Sequence, residues 1–187
     1  MTMNIGLNDF QRHGPTTILS TLLADQHLLA LKGRKYHWNV VGPQFKTLHD
    51  LFEAHYSSLD QMLDEVAERI RILGNSAPGT MTEFLKLTEL TEQPSLYPSA
   101  ESMIAELLTD HETVSRRLRD DVKRCTEFED VGTADFLTGM LRKHEHMAWM
   151  LRALLQENRM ATQSAALSQR DVEQHAIPTH VVYKRAA

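Results

Sequence analysis

The sequence predicts an all-α fold: four long helices in a bundle, with a short extra helix in the crossover between the second and third. Apolar residues recur with a spacing near 3.6 over long stretches, and only 8 Gly and 6 Pro interrupt 187 residues. A single long connection falls in the middle of the chain. Hydrophobic residues at 42% and charged residues at 24% describe an ordinary globular chain, long enough for one substantial core.

Residues 1–13 lack periodicity and are expected to form a flexible N-terminal tail, ending at Gly14-Pro15, where Pro15 suits the first turn of a helix. From Thr16 to about Val41, Ile18, Leu22, Leu23, Leu28, Leu29, Leu31 and Val40 mark the first helix, with Gly33 inside it. Gly42-Pro43 separates it from the second, which runs to about Leu73 with Phe45, Leu48, Phe52, Leu59, Leu63, Val66 and Ile70 on its apolar face. Residues 74–79 are a break. The connection to Pro98 is long for a bundle, so a short helix is expected at residues 82–87. Ser99 caps a third helix reaching about Thr126. Residues 127–132 read as an acidic turn. The fourth helix spans about Thr133 to Glu157, with Phe136, Leu137, Met140, Leu141, Met147, Met150, Leu151 and Leu154 as its stripe. The bundle domain is thus residues 14–158, and residues 159–187 are expected to be a mostly irregular C-terminal tail. This order, with its one long crossover, is ferritin-like connectivity.

The single Cys125 allows no intrachain disulfide and suits a buried helix position better than a nucleophile. No apolar run is long enough to span a membrane and no targeting signal opens the chain, so a cytoplasmic protein is expected. A formal charge of −5 argues against generic attraction to nucleic acid and fits cationic partners better.

The stretch from His49 to Glu68 carries two pairs of candidate ligands, His49 with Glu53 and Asp64 with Glu68, each four residues apart. That spacing stacks both members of a pair on one helix face. All four lie on one stripe, roughly 130° from the apolar face at 100° per residue. Along one straight helix Glu53 and Asp64 are about 16 Å apart, too far to share an ion that needs ligands within roughly 2–2.5 Å. The stripe is centred between Ser58 and Leu59, however. A second copy packed antiparallel about a two-fold axis there would set His49 and Glu53 of one chain opposite Asp64 and Glu68 of the other, twice. A solvated polar face explains the same spacing. His37 lies twelve residues before His49 across the Gly42-Pro43 turn, so both rings could approach a common point. Mixed imidazole and carboxylate donors suit Fe(II), Mn(II) or Zn(II). None of the ten His completes the Glu-x-x-His pair of an intrachain di-iron bundle.

Lys35-Tyr36-His37-Trp38-Asn39, then Phe45, Leu48-His49-Asp50-Leu51-Phe52-Glu53 and Leu63-Asp64-Glu65-Val66-Ala67-Glu68-Arg69 resemble the Dps family of mini-ferritins, over roughly residues 16–157. The resemblance implies a hollow dodecamer that oxidises Fe(II), often with hydrogen peroxide, at two-fold interfaces and stores ferric mineral, protecting against oxidative damage. Its ferroxidase ligands fall on His37, His49 and Glu53 of one subunit and Asp64 and Glu68 of the two-fold mate. Glu53 stands where the family commonly has Asp, so one donor is displaced by a methylene. Zinc or manganese could occupy the same ligands. Trp38 follows the first histidine as in the family and is a candidate redox-active aromatic, or simply packing. Thr133-Ala134-Asp135 resembles the family's start of the fourth helix. There Asp135, with Asp130 and Glu129, would line a three-fold pore that admits iron, or would only favour a helix N-terminus.

Family members that coat DNA often carry lysine-rich tails. Residues 1–13 hold Arg12 and Asp9 and no lysine, and the far end sets Arg170, Lys184 and Arg185 against Asp171 and Glu173. Weak or conditional DNA binding is expected. Iron sequestration by a ferroxidase is therefore the leading reading, a DNA-compacting nucleoid protein with secondary iron oxidation is the alternative, and a cage serving only as scaffold or metal buffer is the third.

Overall fold

A computed structural model describes the backbone of residues 3–175 and the side chains of residues 3–156. It contains five helices: α1 (Asp9–Asn39), α2 (Phe45–Ile72), α3 (Met81–Leu87), α4 (Ala100–Glu127) and α5 (Val131–His175). There is no strand among the described residues. α1 packs chiefly on α2 and α4 chiefly on α5, so the bundle is two helical hairpins joined by the crossover that carries α3.

Local chemistry explains the boundaries. α1 starts well before Gly14-Pro15 because Asn8 and Gln11 form a capping box, each side chain bonding the other's backbone N–H. This corrects the expected tail: residues 9–13 are helical, and Pro15 lies inside α1, where it forgoes one backbone hydrogen bond. Gly14 has a packing reason, since a Cβ there would meet the Phe128 ring at 2.2 Å. Thr80 and Glu83 build a second capping box for α3, and Ser99 caps α4 as expected. The acidic turn shrinks to residues 128–130, and α5 begins at Val131.

The second correction is α5, which continues past Glu157 to His175. Residues 158–175 include several Ala, Gln and Arg and hold no Gly or Pro; the next breaker is Pro178. Residues 176–187 of the expected tail lie outside the described residues. Most stripe residues enter the core, Ile18, Leu22, Leu23, Phe52, Leu59, Ile70, Leu137 and Met140 among them, and Leu19, Leu107 and Leu118 join them there. Leu31, Phe45 and Met150 remain exposed. Cys125 is fully buried, and burial first, then nearby Asp130 and Asp121, pushes its thiol up to about 12.

Candidate metal centre

The α1–α2 connection sets the first half of the site. α1 ends at Asn39, Gly42 takes φ 117°, a conformation that costs an L side chain, and α2 begins at Phe45. This short turn brings His37 opposite His49, their rings stacked with centroids 3.7 Å apart and 22° between planes. His37 Nδ1 lies 2.8 Å from the His49 carbonyl oxygen, and His49 Nδ1 lies 2.9 Å from the His37 carbonyl oxygen. A carbonyl only accepts, so each Nδ1 carries a hydrogen, which leaves Nε2 as the nitrogen of each ring that could bind metal. The Tyr56 edge meets the His37 ring at 5.6 Å and the Phe45 ring lies 5.1 Å from His49. Arg34, ion-paired with Asp60, sits 4.7 Å over Tyr56 and braces the same wall.

The α2 carboxylates divide into two sets. Asp50 pairs with Lys46, Asp60 with Arg34, and Glu65 with Lys143 of α5. Glu53, Asp64 and Glu68 are exposed, and among the described residues none of them has a hydrogen bond or ion pair. The unpaired acids are the three that the sequence nominates as ligands. Glu53 shares the His49 end of α2. Asp64 lines a separate groove of about 360 Å³ with His27, Asp60, Pro78 and Phe84. Within one chain the structure therefore brings His37 and His49 together and leaves Asp64 and Glu68 at the other end of the helix. No group of three or more His, Cys, Asp or Glu among the described residues could hold an ion. Trp38 is 67% exposed, so it is not packed within its own subunit.

The three acids read as a pore separate as well. Asp130 is 2% exposed: its Oδ1 accepts from the Thr133 N–H at 2.9 Å and from Arg69 at 3.1 Å, and its Oδ2 accepts from the Thr133 hydroxyl. It is the cap that starts α5. Glu129, with φ 61° and a bond from Gln11, and Asp135 are exposed.

Sequence reasoning missed three core histidines, His55, His111 and His144. A signal existed, because each occupies a position on the apolar stripe of its helix, as in Ile104, Leu107, His111, Val114, Leu118.

Residues 16–161 match the ferritin-like domain. Among curated proteins, DNA protection during starvation protein 2 of Bacillus anthracis is 35% identical over 140 residues, covering 75% of this chain and 95% of that one. The chain is a Dps-family mini-ferritin. An uncharacterised low-temperature-induced protein of Nostoc is 51% identical over 155 residues, 82% of this chain and 87% of its own. Among solved structures, DpsC of Streptomyces coelicolor superposes with a TM-score of 0.80 at 31% identity, covering 83% and 91% of the two chains. The Dps of Vibrio cholerae O1, described as a member of a broad superfamily of ferritin-like diiron-carboxylate proteins, gives 0.77 at 30% identity over 83% and 98%. Iron storage and protection go with this Dps family. No described helix is long and apolar enough to cross a membrane.

Proposed function

We propose that this Dps protein is a ferroxidase whose centres lie between two-fold-related subunits. His37, His49 and Glu53 come from one chain, Asp64 and Glu68 from its mate. The observation that carries this reading is the sorting of the α2 acids: every α2 carboxylate outside the ligand set is ion-paired, and the three within it are left free, Glu53 at the end of α2 that bears the stacked rings and Asp64 and Glu68 at the other. Exposed apolar side chains support the two-chain arrangement, among them Trp38, Phe45, Met81 and Leu85 on α1 to α3.

Fe(II) is the substrate. Two imidazoles and three carboxylates offer borderline and hard donors that suit it, with zinc or manganese as competitors. Each of two Fe(II) gives up one electron to hydrogen peroxide, whose O–O bond breaks to leave two hydroxides; oxygen is the other candidate oxidant. The carboxylates offset charge as Fe(III) forms, and the carbonyl-anchored rings hold their geometry through the change. Ferric mineral accumulates in the hollow of a homo-oligomer, a dodecamer as the family resemblance implies. Glu129 and Asp135 furnish the negative mouth through which iron enters, supported from behind by Asp130.

Co-assembly tests the shared site. His49→Ala chains and Asp64→Ala chains, each assembled alone, are expected to oxidise Fe(II) with negligible site-dependent rate. A mixed dimer places both lesions in one of its two sites and leaves the other intact. Random co-assembly should then restore about a quarter of the wild-type rate. Mixed cages no faster than either parent would refute sharing, and undiminished single variants would refute the ligands.

A further inference from the structure

The α4–α5 hairpin carries a charged groove that supplies no ligand to the interface site. Two ion pairs cross between the helices: Arg119 of α4 with Glu145 of α5, and Glu112 of α4 with Arg152 of α5 at 2.6 Å. Residues 112 and 119 lie about 10 Å apart along α4 at ~1.5 Å per residue. Midway between the pairs both helices carry small side chains, Ser115 on α4 and Ala148 on α5, 8% and 4% exposed. Long side chains at both ends and small ones in the middle leave a groove of about 380 Å³, and Arg116 completes its wall.

The Ser115 hydroxyl is the first unusual feature. Thr109, Thr113 and Thr126 of the same helix each donate a hydroxyl to the carbonyl four residues back. The Ser115 hydroxyl lines the groove, is buried, and has no partner among the described residues. A buried donor left unpaired is unfavourable, and a ligand that accepts its hydrogen removes that cost.

Charge is the second. Arg119 and Arg152 each use a single N–H on their carboxylates, which leaves most of their five donors available. Arg116 is exposed, bonds only the Thr113 hydroxyl at 2.9 Å, and has no carboxylate partner among the described residues. Three guanidinium groups thus line the groove with two carboxylates, a local positive excess in a chain whose formal charge is −5.

The geometry points to an oxyanion site in this groove, for phosphate either free or carried as an ester. A planar carboxylate is satisfied by one guanidinium fork, whereas a tetrahedral phosphate turns oxygens toward several donors at once. Here Arg116 supplies the unpaired charge, Ser115 the unpaired hydroxyl, and Arg119 and Arg152 further N–H groups from the two ends. Glu112 and Glu145 stay neutralised by their own arginines, so they do not cancel the attraction of Arg116. The site is independent of the ferroxidase reading, whose ligands all lie on α1 and α2.

Inorganic phosphate titrated into the assembled, metal-free protein in chloride buffer, followed by calorimetry, tests the proposal. Each chain is expected to hold one phosphate, with saturation. Arg116→Gln and Ser115→Ala should each weaken binding by about tenfold or more. Both variants should fold, since Arg116 is exposed and Ser115→Ala removes only an unpartnered hydroxyl. Arg142→Gln, at another exposed position of α5, should leave the affinity unchanged. Short duplex DNA distinguishes the two sources of the ligand. A groove that takes esters releases inorganic phosphate when DNA is added, and the two variants then bind DNA more weakly than wild type. A groove that takes free phosphate keeps it, and DNA does not tell the variants from wild type. Either result upholds the site. Absence of saturable phosphate binding, or equal affinity in wild type, Arg116→Gln and Ser115→Ala, overturns it.

Discussion

Replacing Asp130 with alanine separates a structural from an iron-conducting role for the acids at the start of α5. The carboxylate caps the helix through the Thr133 N–H at 2.9 Å and neutralises Arg69 at 3.1 Å, while itself 2% exposed. Loss of an N-cap costs about 1 kcal/mol. Removing one member of a buried ion pair costs about 3–5 kcal/mol. Here the second figure is reduced, because the Arg69 side chain is 21% exposed and its Nε–H still reaches the Thr133 hydroxyl. The expected total is about 2–4 kcal/mol, a fall in melting temperature on the order of 10 °C for a chain of this length. Asp130→Asn keeps an acceptor for the cap and should cost about half as much. Thermal unfolding by circular dichroism measures both, and iron uptake at low temperature, where all variants are folded, measures conduction. An Asp130→Ala protein that melts like wild type but admits iron slowly would refute the capping assignment.

Gly14→Ala should destabilise by about 1–3 kcal/mol through its clash with Phe128, and a second change, Phe128→Leu, should recover part of that loss in a denaturant titration. The Cys125 thiol, buried and shifted to about 12, should resist a thiol reagent at pH 8 in the native cage and react at once in denaturant; rapid native labelling would contradict the burial. Glu53→Asp shortens the unusual ligand by one methylene and should change Fe(II) or Zn(II) affinity in anaerobic calorimetry with no change in melting of the metal-free protein; unaltered affinity would remove Glu53 from the centre.

Much of the fold was legible because its signals are periodic or local. Ser99 and the apolar stripes placed α4 and α2 within a residue or two, and Gly42 marked the turn that the site depends on. Two misreadings have physical causes. Gly14-Pro15 looks like a helix start, yet Gly14 serves the close approach of Phe128 and the Asn8 capping box starts the helix earlier. Residues 158–175 looked polar and structureless, although helical propensity continues there without a breaker. At the site, spacing nominated His37, His49, Glu53, Asp64 and Glu68. It carried no information on which acids find lysine or arginine partners, since Lys143 and Arg34 reach α2 only through the tertiary fold. The core histidines escaped for a related reason: an imidazole on an apolar stripe reads as a break in the pattern until its neighbours from other helices are known.

The crossed hydrogen bonds between His37 and His49 make ligand orientation a joint property of two backbones. Each ring hangs from the carbonyl of the residue that bears the other, so neither can turn without disturbing its partner's anchor. The rotamer freedom that a free histidine would lose on coordination, on the order of 0.5–1 kcal/mol, is surrendered when the chain folds, before any ion arrives. Truncating either ring should release the other, so their separate effects on affinity will not add, and a double-mutant cycle between them will show strong coupling. For anyone redesigning the centre for another metal, the unit to transplant is the pair together with the Gly42 turn.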